Sequence, residues 1–121
     1  MGKLEQDFDA YRARMNARIL EEDNRVIKRV YSVDSLAYAE DAGELPKKTR
    51  ELLGLVSSLV LRCDDCVKYH LVEARKAGNS RKEMVEAMSI GLVVGGTIVV
   101  PHLRRAIEFL DDLESATAAG D

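Results

Sequence analysis

Two cysteines and a histidine stand within eight residues: Cys63-Asp64-Asp65-Cys66-Val67-Lys68-Tyr69-His70, a C-x-x-C-x-x-x-H pattern. If the segment is helical, at about 100° per residue, Cys66 lies at about 300° and His70 at about 340° relative to Cys63. Val67, Ala74 and Ala77 fall in the same arc; Asp64, Asp65, Lys68, Arg75 and Lys76 fall outside it. The spacing predicts both thiols and the imidazole on the inward-facing stripe, partly buried, with the sulfurs on adjacent turns. Two cysteines three apart near a helix N-terminus can close a disulfide after a small adjustment. The helix dipole and a nearby imidazole both favour thiolate over thiol, below the roughly 8.5 of a free cysteine. Such a thiolate can attack a peroxide or a disulfide, and the second cysteine then resolves the intermediate. No βαβ pattern surrounds the motif, so a thioredoxin-like setting is excluded. Three other readings stay open. The cysteines could be structural. Cys63, Cys66 and His70 could be three zinc ligands, although the only other histidine, His102, is far along the chain. His70 could be a satisfied core residue unrelated to the thiols.

The elements that must position these groups read as helices. Leu4, Phe8, Tyr11, Met15 and Ile19 form one apolar stripe on an otherwise charged first helix. Asn24 can cap a second helix through Val26, Ile27, Val30 and Tyr31, with Gly43 as its stop. Pro46 suits the first turn of a third, carrying Leu52, Leu53, Leu55, Val56, Leu59 and Val60. A fourth runs from about Cys63 to Ala77 and ends at Gly78. Ser80-Arg81-Lys82-Glu83 reads as a capping box opening a fifth. The last carries Val99, Leu103, Ala106, Leu110 and Leu113. Leu92 to Val100 around Gly95-Gly96 also fits a hairpin, but no further strand is available to extend it. Helix–turn–helix is the better assignment there. The fold class is all-α, about six helices in one domain spanning 1–121. Residues 1–23 form an N-terminal helix that packs on the domain or on a neighbouring subunit, and 115–121 read as a frayed tail.

A chain of 121 residues with 46% hydrophobic and 32% charged residues can bury a core of its own. Its net charge of −3 lacks the clustered basic face that nucleic acid or an anionic membrane requires. No apolar signal segment follows Met1, and Gln6 spoils a myristoylation pattern. The longest apolar run, Ile90 to Val100, is too short to cross a bilayer. A cytoplasmic location is expected, where the two cysteines are thiols unless a disulfide is transient or catalytic.

The motif and its surroundings resemble the carboxymuconolactone decarboxylase / alkylhydroperoxidase D-like family. Lys48-Thr49-Arg50-Glu51-Leu52-Leu53 is similar to the family's opening helix. The likeness continues through Cys63 to Cys66, His70, Ala74, Gly78, Glu83 and Glu86, and closes with Gly95-Gly96 and Pro101-His102-Leu103-Arg104-Arg105-Ala106. The resemblance implies an all-helical fold that assembles as a homo-oligomer, trimer or hexamer, with the active site near a subunit interface. It implies an antioxidant thiol oxidoreductase in which Glu51 and His70 relay protons for the cysteine pair. Cys66 would be the nucleophile because His70 is one turn away, and Cys63 the resolving thiol. The reverse order stays open, since Cys63 is nearer the helix N-terminus. No bound cofactor is implied; electrons would come from a partner dithiol. Asp65 stands where better-studied hydroperoxidase members carry a histidine, and its phase near 200° points to solvent. Decarboxylation of an acidic lactone is the alternative the family name carries, and a metal-binding or structural helical module is another. By itself Glu51 would merely complement its helix dipole. His102 is left outside the site, and Met84, Met88 and the four tyrosines read as core or interface.

Overall fold

A computed structural model describes residues 2–41 and 43–118, with side chains to 115. Among the described residues there are six α-helices: α1 Lys3–Leu20, α2 Arg25–Ala37, α3 Lys47–Val60, α4 Asp64–Lys76, α5 Arg81–Gly95 and α6 Val100–Ala118, with one 3-10 turn at Thr97–Val99. No strand occurs among the described residues. Helix α3 packs against both α4 and α5, α6 crosses α4, and α1 lies on α6. Leu55, Leu59, Leu71, Met88 and Leu110 are wholly buried where these helices meet. Each such side chain contributes about 1.5–3 kcal/mol by leaving water.

Most helix signals in the sequence operate as local chemistry dictates. Asn24 Oδ1 accepts from the Ile27 amide at 3.0 Å and starts α2. Ser80 and Glu83 form both bonds of a capping box, at 3.1 and 2.9 Å, and so satisfy two amides that the helix itself leaves open. Gly96, at φ +82°, turns the chain from α5 into the 3-10 turn, a conformation a side chain would resist. Pro46 stands at the N-cap of α3, one residue before the first turn expected for it and without a side-chain capping bond, and α4 gives way to Ala77 and Gly78.

One expectation is corrected. Helix α2 stops at Ala37, not at Gly43, because the loop beyond it is held by side chains of α3. The Arg50 guanidinium donates to the carbonyls of Ala37, Glu40 and Leu45 at 2.9–3.0 Å, and Lys47 Nζ donates to Tyr38 O at 3.0 Å. Of the frayed tail expected at 115–121, residues 115–118 belong to α6, and 119–121 lie outside the described residues. The α1 stripe is buried only at Phe8, whose ring meets Phe109 edge-on at 5.7 Å; Leu4 and Tyr11 remain exposed. Helix α2 buries none of its residues, leaving Val26, Val30, Val33 and Leu36 between 61% and 72% exposed.

Candidate active site

The turn from α3 into α4 places the first cysteine. The Arg62 amide donates to Leu59 O and the Cys63 amide to Ser58 O, both at 3.0 Å, the pair of bonds of a Schellman motif. Glycine usually occupies the left-handed position of that motif. Here it is Arg62, at φ +61°, the one positive-φ residue other than glycine among those described, at a cost of about 1–2 kcal/mol. Cys63 is therefore the extended N-cap of α4 rather than a member of the helix, and its Sγ accepts from the Cys66 amide at 3.3 Å. Cys63 and Cys66 form a disulfide with their Cα atoms 5.2 Å apart.

This geometry corrects the burial expected for one of the thiols. Val67, His70 and Ala74 are buried as their helical phase requires and Cys63 is half-buried, but Cys66 is exposed. Helical phase does not apply to an N-cap, and Cys66 sits at the rim of the inward arc.

His70 and Glu51 meet in the interior. His70 Nδ1 lies 2.9 Å from Glu51 Oε1, with Glu51 fully buried and His70 nearly so. With Nδ1–H donating to the carboxylate, Nε2 is the nitrogen left to take or give a proton elsewhere. The second carboxylate oxygen, Oε2, has no hydrogen-bond partner, and Lys47 Nζ stands 3.8 Å from it. Rings of Tyr38 and Tyr69 flank the imidazole at 5.0 and 5.1 Å. Burial pushes the Tyr69 hydroxyl up to about 12, with the charges of Glu73, Asp34 and Glu51 adding to the rise and Arg12 opposing it. Tyr38 is raised by burial, then by Glu51 and Asp34. The imidazole can lie this close to α3 because residue 54 is glycine. A Cβ there would come within 2.6 Å of His70 Cε1, 2.7 Å of the Tyr38 hydroxyl and 2.9 Å of His70 Nδ1.

A pocket of about 370 Å³ opens over this arrangement. Asp65, Cys66, Tyr69 and His70 of α4 form one side; Val30, Tyr31 and Asp34 of α2 and Arg12 and Asn16 of α1 form the other. Tyr31 donates to Asn16 Oδ1 at 3.0 Å, joining the two outer helices, and the Arg12 guanidinium stacks over Tyr69 at 4.3 Å. Of the sequence-predicted residues, Cys66 and His70 line this pocket and Glu51 stands behind His70, while Cys63 is not among the lining residues. Asp65 is exposed, as its phase required, and lies at the pocket. Sequence reasoning missed Arg12, Asn16, Tyr31 and Asp34, which reach the site only through packing of α1 and α2. It also set aside His102, which meets the first residue of α4: His102 Nδ1 lies 2.8 Å from Asp64 Oδ1, and Arg105 Nε donates to Asp64 Oδ2 at 2.8 Å. Burial alone would raise the Asp64 pKa, but the hydrogen bonds from His102 and Arg105 outweigh it and hold the carboxyl below its ordinary value. Among the described residues no three His, Cys, Asp or Glu side chains group as metal ligands, and no helix is long and apolar enough to cross a membrane.

The model of the carboxymuconolactone decarboxylase family matches residues 28–109. Two crystal structures of a Thermotoga maritima protein are 46% identical to this chain over 94% of its length. They span 98% and 95% of those chains and superpose with TM-scores of 0.89 and 0.88. One is described as a carboxymuconolactone decarboxylase family protein with a candidate part in the antioxidative response. A family protein from Legionella pneumophila, crystallised in its apo form, shares the fold at 21% identity and TM-score 0.69, over 88% of this chain and 90% of its own. An uncharacterized protein of Cupriavidus necator is 27% identical over 77 residues, 64% of this chain and 68% of its own.

Proposed function

The chain belongs to the carboxymuconolactone decarboxylase family, and from that premise we propose that it is a thiol-dependent oxidoreductase of the alkylhydroperoxidase-like type, reducing a hydroperoxide or a small disulfide in an antioxidant role. The observation that carries the reading is the disulfide's position: Cys66 and His70 line one pocket, and buried Glu51 holds His70 by Nδ1.

In the reduced protein the Cys66 thiolate attacks the terminal oxygen of the hydroperoxide. The O–O bond breaks, Cys66 becomes a sulfenic acid, and the alkoxide leaves with a proton supplied through His70. The Cys63 thiol then attacks the Cys66 sulfur. The S–O bond breaks, water departs, and the disulfide of this structure forms. A partner dithiol restores both thiols by exchange. Glu51 keeps the imidazole in one orientation and stabilises its protonated form at each transfer. Exposure of Cys66 supports its role as attacking thiol, since an external substrate must reach it. The working form in this reading is a cytoplasmic trimer or hexamer, and the exposed apolar ridge of α2 supports self-association.

Cys66→Ser tests the proposal. It should abolish dithiol-dependent hydroperoxide consumption while helicity and assembly persist. Turnover retained in that variant would remove the thiol mechanism, and lactone decarboxylation surviving the loss of both thiols would replace it with the lyase chemistry of the family's name.

A further inference from the structure

Opening the disulfide leaves Cys63 in a turn with a reason to relax. Its predecessor Arg62 holds a left-handed conformation that a non-glycine residue adopts at a cost, and the covalent link to Cys66 is what holds Cys63 against the first turn of α4. On the α3 side the turn is tied by the two amide bonds to Ser58 and Leu59. On the α4 side the next residue, Asp64, is tied to α6 across 38 and 41 residues of sequence.

The tie uses both oxygens of one carboxylate. His102 Nδ1–H donates to Oδ1 and Arg105 Nε–H to Oδ2, each at 2.8 Å. Arg105 Nη2 also lies 3.2 Å from His102 Nδ1, but that nitrogen cannot accept while it carries the proton given to Asp64, so this third contact is packing. A lone exposed ion pair would anchor little. Here two donors one helical turn apart grip one acid, with His102 largely buried and Asp64 one-third exposed.

We propose that Asp64, His102 and Arg105 are positioning residues for the cysteine pair, tying the first turn of α4 to α6 so that the Cys63 turn keeps its disulfide-ready shape after the disulfide opens. The inference rests on the reading that Cys63 and Cys66 cycle. Without the tie, the oxidised protein keeps Cys63 against the first turn of α4 because the disulfide joins them, whereas in the dithiol protein the two are free to part. The equilibrium then shifts toward dithiol, and the reduction potential rises.

The experiment equilibrates the full-length chain with glutathione buffers and counts thiols, for wild type, Arg105→Gln, Asp64→Asn and the double variant, with circular dichroism and urea melting alongside. Arg105 is 49% exposed, so its replacement empties no core. Each single variant should lower the equilibrium constant for disulfide formation three- to tenfold, a potential higher by about 15–30 mV, with the double variant no further shifted than the larger single one. Arg105→Gln carries the sign that decides. If Arg105 acted only by neutralising Asp64, its loss would disfavour thiolates and lower the potential, so a potential that falls or stays put overturns the proposal. An effect on urea melting without one on the potential also overturns it, by reducing the cluster to fold stability. A wild-type protein that cycles while the variants match it defeats this inference alone. A wild-type disulfide that no glutathione buffer opens defeats the cycling reading and this inference with it.

Discussion

Gly54→Ala is expected to cripple the thiol chemistry while leaving α3 locally a better helix. The added methyl would meet His70 Cε1 at 2.6 Å, the Tyr38 hydroxyl at 2.7 Å and His70 Nδ1 at 2.9 Å. Ordinary carbon contacts begin near 3.5 Å, so the imidazole must retreat from α3 by roughly 1 Å. Glu51 sits on the same helix, one turn earlier, so that retreat carries Nδ1 away from Oε1 and stretches a 2.9 Å bond beyond hydrogen-bonding range. The stability terms offset only in part. Alanine gains about 0.5–1 kcal/mol over glycine in a helix interior, overpacking costs about 1–3 kcal/mol, and the lost bond leaves a buried Glu51 oxygen unpaired at a further cost of about 1–3 kcal/mol. The net loss is about 1–5.5 kcal/mol, so activity is compared in the folded fraction that urea denaturation defines. Activity has no such compensation: a displacement near 1 Å in a proton-transfer group costs on the order of 100-fold in rate. The assay is kcat/KM for dithiol-dependent hydroperoxide reduction, with urea denaturation in parallel. A variant with wild-type kcat/KM would show that close apposition of His70 to α3 has no part in the reaction, and the relay would fall.

Glu51→Gln keeps an acceptor for His70 Nδ1–H but removes the charge. It should leave stability within about 2 kcal/mol of wild type and lower kcat/KM on the order of 100-fold; a loss no greater than that of a surface substitution would refute the relay. Tyr69, raised to about 12, should ionise above the ordinary tyrosine range, so Tyr69→Phe should remove a step near pH 12 from an alkaline absorbance titration. Because the folded value exceeds the roughly 10 of an unfolded tyrosine, the stability Tyr69 contributes is present below pH 10 and is lost as pH rises toward 12. Urea midpoints of Tyr69→Phe should therefore fall less steeply across that window, and identical slopes would contradict the burial of its hydroxyl.

The helices were legible because their signals are local. Asn24, Ser80 and Glu83 act within three residues of themselves, and an apolar residue at Leu55, Leu59, Met84 or Met88 has its burial set by period alone. Glu51 became legible through its spacing from the cysteines in a family resemblance; nothing about one acid on one helix predicts a buried partner 19 residues on. What escaped was set by distant or unusual geometry. Cys63 lies outside the helix because a left-handed Arg62 ends the previous one, and arginine carries no turn signal. Arg50 stops α2 from another helix, taking carbonyls that no residue near Gly43 would have revealed. His102 and Arg105 find Asp64 through the crossing of α4 and α6. Arg12 and Asn16 precede the family's matched residues and enter the pocket only because α1 and α2 fold over α4.

The central claim is that Cys63 and Cys66 are a cycling pair, and counting thiols tests it most directly. The reduced chain, with its two cysteines free, is given one equivalent of hydroperoxide and its thiols are titrated over time. A fall from two thiols to none per chain, reversed by a dithiol, is the predicted result. Two thiols persisting through excess hydroperoxide would contradict peroxide reduction by this pair.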